Sequence, residues 1–392
     1  MASEGARTVE QSYDAIVVGL GAMGSAATYQ LARRGQRVLG LEMFQPGHDQ
    51  GSSHGYHRMI RMSSTYDDGY VVLGERALDL WRELGSEAGR ELVRIIGEVH
   101  LVHLGERPDY RMVAEEMRAG GYWELLDESQ LADRFPGFRL HEDMLATYEA
   151  NAGFIWSEAG IRAHVAMAER HGATVHTDEE VVAWEPDGDG VRVTTKDGYY
   201  RAERLLLTTG PWAAELLADL DFPYQVNRTV NGFFEPARED WWTVEQGAPD
   251  FLLTVPEGSF YGIPSVDGLG LKIGLSGGRD HAPTTARTIE REIGDAEIDL
   301  LRNVLNKYMP GAAGAELNRI TCMCNYTIDG DFIVDRHPAY PQVVFGCGFS
   351  GRGFKFAPVV GEILADLAAD GTTRHDISFL AAGRFSPAEA AD

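Results

Sequence analysis

The stretch Asp14–Gly24, with the sequence DAIVVGLGAMG, decides the fold. Four apolar residues after Asp14 predict a buried strand, and that strand runs directly into a turn containing Gly19, Gly21 and Gly24. In such a turn the first glycine permits a tight bend, and the second lets the backbone approach a pyrophosphate. The third lets the following helix pack closely on the strand. The spacing therefore predicts the phosphate-binding turn of a dinucleotide site.

The residues after this turn complete a βαβ unit. The sequence predicts a helix that ends near Arg34, a stop at Gly35 and a second strand over residues 37–41. Glu42 follows, 23 positions after Gly19, where a carboxylate accepts hydrogen bonds from the ribose hydroxyls of adenosine. A solvated carboxylate at a strand end is the alternative interpretation. The motif predicts a bound dinucleotide but does not by itself separate NAD from FAD.

Composition excludes several kinds of partner. A chain of 392 residues exceeds what one hydrophobic core usually serves, so we expect two domains. The formal net charge of −25 opposes binding to nucleic acid or to an anionic membrane surface, because both are polyanions. No apolar run approaches the ~18 residues that span a bilayer, and residues 1–12 lack the pattern of a secretory signal. We expect a cytoplasmic protein that is a monomer or a weak homo-oligomer.

The three cysteines, Cys322, Cys324 and Cys347, lie within one short stretch. This grouping does not form a disulfide framework for so long a chain, and it fits a reducing compartment. Cys322 and Cys324 also lack the second pair of ligands that a zinc site needs. We therefore predict no metal site.

Strand, helix and turn signals alternate along the chain, which predicts the α/β class, with α+β character overall. One domain is expected to be Rossmann-like and discontinuous, and the other to be a largely antiparallel sheet that forms a substrate domain. A substrate chamber is then expected between the two domains. The predicted Rossmann-like pieces are residues 13–90, 152–224 and 320–385, the substrate domain is 91–151 and 225–319, and residues 1–12 form a flexible N-terminal extension.

Three long helices are predicted outside the first βαβ unit, at Ser157–Arg170, 286–308 and 358–369. The third follows a glycine-rich turn, and the second returns the chain from the substrate domain to the first domain.

Two further segments favour FAD over NAD as the bound dinucleotide. Residues 51–61, GSSHGYHRMIR, form a flexible loop followed by Arg58 and Arg61, which suits a flavin edge and an anionic substrate. Surface ion pairs are the alternative interpretation of these arginines. Residues 348–356, GFSGRGFKF, are a glycine-rich turn that opens a helix and contains Lys355. Backbone N–H groups beside a lysine stabilise the negative charge that a flavin develops when it accepts two electrons. The sequence therefore predicts an FAD enzyme.

With these motifs in place, the chain resembles the monomeric sarcosine oxidase and N-methyltryptophan oxidase family of FAD-dependent amine oxidases. The likeness extends from Tyr13 to about Arg384, and its separated motifs occur in the same order. They are the glycine turn, Ser53-His54-Gly55 with Arg58 and Arg61, Tyr261-Gly262 before Pro264, Gly270-Leu271-Lys272, Cys322 ahead of Asp329 and Phe332, and residues 348–356.

The resemblance implies roles for single side chains. In that family a cysteine at the position of Cys322 carries the flavin through a thioether to the 8α-methyl carbon. A free cysteine is otherwise most often a small buried hydrophobe. A lysine at the position of Lys272 lies over the flavin where oxygen reacts, and an ammonium there stabilises the charge that forms on O2.

Residues that match Arg61 and Lys355 hold the substrate carboxylate in that family, where an arginine fork donates two parallel hydrogen bonds. Arg58 is expected near the flavin, and Tyr261 beside the substrate or, alternatively, on a buried sheet face. The expected catalytic residues are Lys272, Arg58 and Tyr261, and the expected substrate-binding residues are Arg61, Lys355, Tyr261 and Arg352. The expected cofactor-binding residues are Gly19, Gly21, Ala22, Met23, Gly24, Glu42, Ser53, His54, Arg58, Val182, Cys322, Gly348, Gly351, Gly353 and Lys355.

The reaction implied by the resemblance is oxidation of a secondary or N-methyl amino acid to an imine, which water hydrolyses, with O2 reduced to hydrogen peroxide. Three alternatives stay open. One is a biosynthetic imine-forming oxidase or an Amadori-compound (fructosyl amino acid) oxidase, and another is a flavin dehydrogenase that uses an electron carrier. The last is a non-enzymatic dinucleotide-binding or redox-sensing module, which would not need Lys272 and Cys322 at their positions. Two positions depart from the family pattern, because Arg352 and Ser276 stand where family members have histidine. Substrate identity is therefore not determined by the sequence.

Overall fold

The structure is a computed structural model that describes residues 7–63, 69–220, 222–276 and 283–385. Within these residues the strands are numbered β1 to β20 and the α-helices α1 to α9 in chain order. Two large sheets and one small sheet account for all twenty strands. The mixed α/β class predicted from the sequence is confirmed.

The first sheet is built around the strand that precedes the glycine turn. Strand β1 (Arg7–Val18) pairs in parallel with β2 (Val38–Leu41) on one side and with β12 (Gly198–Leu207) on the other. Parallel pairing continues outward to β9 and β20, and β19 closes the edge in antiparallel. These outer strands are β9 (Thr174–His176), β19 (Ile333–Arg336), β20 (Val343–Cys347) and the hairpin β10 (Val181–Asp187) with β11 (Gly190–Thr195).

Both faces of this sheet are buried, which explains the continuous apolar run in β1. Ala15 and Val17 face a core shared with helices α1 and α9, whereas Ile16 and Val18 face a second core. Alternate residues point to opposite faces because the side-chain period of a strand is two. The helices on the first face are α1 (Ala22–Ala32), α2 (Gly69–Ala88), α5 (Ser157–Arg170) and α9 (Ala357–Asp370).

The second sheet has nine strands and is largely antiparallel, as predicted. One pair, β5 with β14, is parallel. Its apolar face packs against helix α8 in a separate core. The strands are β5 (Glu98–His103), β6 (Glu124–Leu126), β7 (Met144–Glu149), β13 (Tyr224–Phe234), β14 (Asp250–Val255), β15 (Gly258–Ile263), β16 (Leu271–Leu275), β17 (Pro283–Thr284) and β18 (Glu316–Thr327). The remaining helices are α3 (Tyr110–Ala119), α4 (Glu128–Arg134), α6 (Ala213–Leu216), α7 (Glu239–Trp242) and α8 (Asp295–Tyr308).

A small third sheet completes the architecture. Strand β8 (Gly153–Trp156) pairs in antiparallel with β3 (His57–Ile60) and with β4 (Val93–Ile95). This pairing fixes the residues that follow the flexible loop, including Arg58. None of the helices in the described ranges combines the length and the apolar character required to cross a bilayer.

Three features differ from the sequence expectations. Strand β1 begins at Arg7 and pairs with β12, so the backbone of residues 7–12 is not a free extension; residues 1–6 lie outside the described part. Helix α8 begins at Asp295 rather than at 286, because Glu297 caps the backbone N–H of Gly294 and Arg228 binds the carbonyl groups before it. Strand β18 was assigned to the Rossmann-like piece but pairs with β13 in the second sheet.

Candidate active site

A cavity of about 430 Å³ begins at the carboxyl ends of β1 and β2 and reaches the second sheet. Most of the predicted site residues line it. These are Gly19, Gly21, Ala22, Met23, Glu42, Ser53, Arg58, Arg61, Tyr261, Cys322, Gly351, Arg352, Gly353 and Lys355. Residues that are distant in the sequence therefore share one continuous space.

The glycine turn leaves room for a phosphate group. Gly19 has a φ of +85°, a conformation that disfavours any side chain. A Cβ atom on Gly24 would lie 1.9 Å from the Gly19 carbonyl oxygen, whereas one on Gly21 would lie 4.0 Å from Ser53 Oγ. Among the described residues no side chain caps the start of α1. Its first N–H groups are thus available to an anion such as a pyrophosphate.

Glu42 is held in place beside this turn. Its carboxylate accepts hydrogen bonds from the backbone N–H groups of Leu20 at 2.7 Å and Phe44 at 3.0 Å. Burial raises the pKa of Glu42, and these two amides oppose that shift. The turn, the helix start and this fixed carboxylate together fit the pyrophosphate and adenosine ribose of FAD.

Arg58 and Cys322 meet in the middle of the cavity. Arg58 Nη2 lies 3.4 Å from Cys322 Sγ and also donates to the carbonyl oxygens of Ser52 and His54. Cys324 lies two residues along β18 and also lines the cavity, but burial raises the pKa of its thiol to about 12. The side chain of Cys322 thus has the Arg58 guanidinium within hydrogen-bonding distance, which distinguishes its surroundings from those of Cys324.

Lys272 lies behind the cavity wall and does not line it. Its side chain is fully buried on β16, and Nζ donates to the carbonyl oxygens of Gly55 at 3.0 Å and His57 at 2.9 Å. Burial holds the pKa of Lys272 well below its ordinary value, and the charge of Arg58 adds to the effect. The two hydrogen bonds fix the amino group of Lys272 against the loop that carries Arg58.

Two cations form the far end of the cavity. Lys355 Nζ donates to the backbone carbonyl of Arg61 at 2.8 Å, and burial lowers the pKa of Lys355 to about 7. Arg61 Nη1 lies 3.6 Å from Glu98 Oε1. This end suits an anionic group of a small molecule, because an arginine fork and a lysine point charge act together there.

The other polar residues that line the cavity are mixed in character. Tyr261 donates its hydroxyl to Asn231 Oδ1 at 2.8 Å, and burial raises its pKa. Arg352 is engaged by Asp331 at 3.1 Å and lies 4.5 Å from the ring of Tyr70. Ser276 also lines the cavity. Because Arg352 is held by Asp331 and an aromatic ring, its charge is partly compensated within the protein.

The structure places some predicted cofactor residues outside the cavity lining. Val182 is a correction, because its side chain is 48% exposed, while the preceding residue Val181 lines the cavity. A one-residue change of position in strand β10 turns the side chain to the other face. His54 is buried and contacts the Thr321 carbonyl through Nε2 at 2.8 Å, and Gly348 packs on Thr327.

Sequence reasoning missed three polar residues of this region. Glu98 and His57 line the cavity, and Asp250 lies next to Glu98 on the neighbouring strand. Both ring nitrogens of His57 are buried, and within the described ranges no residue forms a hydrogen bond with them. An acidic residue at the first position of a strand was the available signal for two of them, in Glu98-Val99 and in Asp250-Phe251. No cluster of three or more possible metal ligands occurs among the described residues.

Comparison with known proteins gives the family. A family model described as FAD dependent oxidoreductase matches residues 14–367. Monomeric sarcosine oxidase of Streptomyces avermitilis is 41% identical over 97% of this chain and 99% of that protein. N-methyl-L-tryptophan oxidase of Citrobacter koseri is 32% identical over 95% of this chain and 99% of that protein. Among solved structures, NikD, an unusual amino acid oxidase essential for nikkomycin biosynthesis, has a TM-score of 0.83 at 28% identity, covering 95% of this chain and 97% of NikD.

These matches confirm the resemblance that was predicted from the separated motifs. The matched region contains the glycine turn, Glu42 and the cavity residues up to Lys355. The chain therefore belongs to the FAD dependent oxidoreductase family, among the relatives of monomeric sarcosine oxidase and N-methyl-L-tryptophan oxidase.

Proposed function

We propose that this protein is an FAD-dependent oxidase of a secondary or N-methyl amino acid. The product is an imine that water hydrolyses to an aldehyde and an amine, and O2 is reduced to hydrogen peroxide. One observation carries the proposal: a single cavity joins the dinucleotide turn at Gly19 to a cationic end at Arg61 and Lys355, with Cys322 in its wall. The names of the relatives, monomeric sarcosine oxidase and N-methyl-L-tryptophan oxidase, support the substrate class.

FAD, when bound, supplies the chemistry of accepting two electrons from a C–H bond and passing them to oxygen. Glu42 and the start of α1 would hold its ribose and pyrophosphate, and Cys322 would hold it through a thioether. The contact of 3.4 Å between Arg58 Nη2 and Cys322 Sγ supports this assignment, because it places the sulfur in the part of the cavity where Arg58 is expected beside the flavin. Cys324 also lines the cavity, two residues along β18, and its thiol is the alternative point of attachment.

The remaining residues bind and orient the reactants. Arg61 and Lys355 would bind the substrate carboxylate, which fixes the position of the neighbouring nitrogen and C–H bond. Tyr261 would border the substrate. Lys272 would stabilise the negative charge that develops on oxygen, and its burial supports this role because a charge acts more strongly in a desolvated site. Bulk water is excluded from that ammonium group by its two carbonyl partners, Gly55 and His57.

The experiment is anaerobic bleaching of the yellow holoenzyme by a substrate panel. The panel contains sarcosine, N-methylated aromatic amino acids, pipecolate and glycated amino acids, and peroxide is measured after air is admitted. We expect bleaching by an N-methyl or secondary amino acid, and loss of that bleaching at low substrate concentration in Arg61→Ala. Arg201→Ala is the matched control, because Arg201 is exposed and pairs with Asp187. A colourless protein that takes up no FAD would refute the proposal.

The same panel separates the alternatives. Bleaching by glycated amino acids alone would assign an Amadori-compound oxidase, and a stable imine product would assign a biosynthetic imine-forming oxidase. Slow reaction of the bleached enzyme with O2 would assign a dehydrogenase that uses a carrier. Ser276 and Arg352 line the cavity at positions where members of the family have histidine. Replacing each with histidine is therefore the first test of which residues determine the substrate.

We also propose that the protein acts in the cytoplasm, as a monomer or weak homo-oligomer, and that residues 13–90, 152–224 and 320–385 form its FAD-binding domain, apart from residues 320–327 of β18, which pair with β13 in the second sheet. The formal net charge of −25 supports a small-molecule partner, because binding to a polyanion needs a concentrated basic face. Cell fractionation and sedimentation measurements test the first two statements. Limited proteolysis of the holoenzyme tests the third.

A further inference from the structure

Two carboxylic acids lie side by side at the cationic end of the cavity. Glu98 on β5 and Asp250 on β14 are in register on parallel strands, so their side chains leave the same face of the sheet at neighbouring positions. Glu98 is 3% exposed and Asp250 is fully buried. Glu98 lines the cavity, and Asp250 lies behind it.

The hydrogen bonding of this pair is incomplete. Glu98 Oε1 lies 3.6 Å from Arg61 Nη1. Glu98 Oε2 and both carboxylate oxygens of Asp250 are buried and accept no hydrogen bond from any part of the chain that the structure describes. Two adjacent buried carboxylates do not both ionise, because desolvation and mutual repulsion each disfavour the second charge. At least one acid of the pair therefore stays protonated, because no hydrogen-bond donor nearby stabilises a second negative charge.

The surrounding charges shift the pKa values of the two acids to different extents. Burial raises the pKa of Glu98 to about 7, with Arg61 opposing the shift. Burial and the charge of Glu98 raise the pKa of Asp250 well above its ordinary value. Burial therefore favours the protonated form of Asp250, while Glu98, which faces Arg61 and the cavity, is the acid placed to gain and lose a proton. The charged and titratable groups that face the pair from the elements packed against it are Arg61, Lys355, Glu149, Tyr110 and Lys272.

We propose that Glu98 is the proton acceptor for the ammonium group of the substrate, and that Asp250 is its proton-bearing neighbour, whose neutral form leaves the negative charge of the pair on Glu98. The proposal rests on the proposed function above. A substrate carboxylate bound at Arg61 brings the α-nitrogen close to Glu98, because that nitrogen is only two bonds from the carboxyl carbon. Oxidation needs a neutral amine with a free lone pair, whereas an amine with a pKa near 10 is almost fully protonated at neutral pH.

The proton balance closes within one catalytic cycle. One N–H bond of the ammonium group breaks and one O–H bond forms on Glu98, so the step moves a proton without creating net charge. Reduction of O2 to hydrogen peroxide later consumes one proton, which the same carboxyl group returns. A carboxyl group whose pKa lies near the working pH suits both transfers.

The test is the pH dependence of anaerobic flavin reduction in the holoenzyme at saturating substrate, between pH 6 and pH 10. In the wild type we expect the rate to rise through a limb near pH 7 and then to level. In Glu98→Gln we expect that limb to disappear. The rate should then rise only at higher pH, as the pH approaches the pKa of the free amine. The rate at pH 7.5 should fall by about 100-fold or more. A limb near pH 7 that persists in Glu98→Gln would overturn the role and assign the limb to Lys355.

Two further variants show whether the effect of Glu98→Gln comes from misfolding or from displacement of the side chain rather than from loss of the proton acceptor. Glu98→Asp keeps a proton acceptor, so it should restore the limb even if its rates are lower. Asp250→Asn keeps a neutral side chain of the same size beside Glu98, so the limb should remain; disappearance of the limb in this variant would overturn the division of roles. Wild-type enzyme that no amine bleaches would overturn the proposed function and this role together. A bleached wild type with an unchanged limb in Glu98→Gln overturns this role alone.

Discussion

Replacing Gly24 with alanine tests the packing of the dinucleotide turn. The new Cβ atom would lie 1.9 Å from the Gly19 carbonyl oxygen and 2.4 Å from Thr208 Oγ1. Non-bonded atoms in packed proteins lie about 3.5 Å apart, so α1 or the turn must move by roughly 1.5 Å. Helix α9 resists that movement, because the two helices approach closely where Gly361 meets Ala26. Overpacking of this kind costs about 1–3 kcal/mol of unfolding free energy.

Gly21→Ala is the matched control, because its methyl group meets no protein atom closer than Ser53 Oγ at 4.0 Å. The free energy of unfolding of the apoprotein should therefore change by no more than about 0.5 kcal/mol. The methyl group nevertheless points into the space where the backbone would approach a pyrophosphate. We expect FAD to bind at least about tenfold more weakly, a loss of roughly 1.4 kcal/mol.

Both variants are best measured in a Cys322→Ala background, where FAD binding would be reversible. Urea unfolding of the apoproteins, followed by tryptophan fluorescence, gives the two stabilities, and titration with FAD gives the two affinities. The reasoning predicts that Gly24→Ala loses stability before any cofactor is added, while Gly21→Ala loses affinity only. Equal stability losses in the two variants, or full FAD affinity in Gly21→Ala, would refute it.

Three other changes have defined outcomes. Acid precipitation of Cys322→Ala should release yellow colour into the supernatant, and Cys324→Ala should not; the reverse pattern would move the link to Cys324. Lys272→Met should slow reoxidation by O2 much more than reduction by substrate in stopped-flow experiments, and equal slowing would reject the oxygen role. Glu362 is buried and paired with arginines and His375, which lower its pKa. Its contribution is present above its unfolded pKa of about 4.3 and is lost as pH falls, so Glu362→Gln should lower the unfolding free energy more at pH 7 than at pH 3.

Local patterns in the sequence were enough for the dinucleotide part of the fold. The apolar run before Gly19, the glycine spacing and the position of Glu42 all act over a few residues, and the physics that they obey is local. The helix over Ser157–Arg170 was predicted with the bounds that the structure gives. Helix α8 was predicted too long, because its start depends on contacts made by Arg228 from another strand.

The candidate site depended on longer-range structure. Cys322 and Arg58 are separated by 264 positions and meet only because β18 and β3 face the same cavity. The preference for Val182 over Val181 could not be corrected from sequence, since the face of a strand is set by its pairing register.

The amino-acid sequence by itself determined that a dinucleotide turn opens the chain and that a cationic glycine-rich segment near its end completes a flavin enzyme, because glycine spacing and charge are properties of short segments. Only the tertiary structure decided that Glu98 and Asp250 are neighbours beside Arg61. Their pairing comes from two parallel strands 152 residues apart in the chain, and the resulting burial, rather than the residue types, sets the proton affinity of the site.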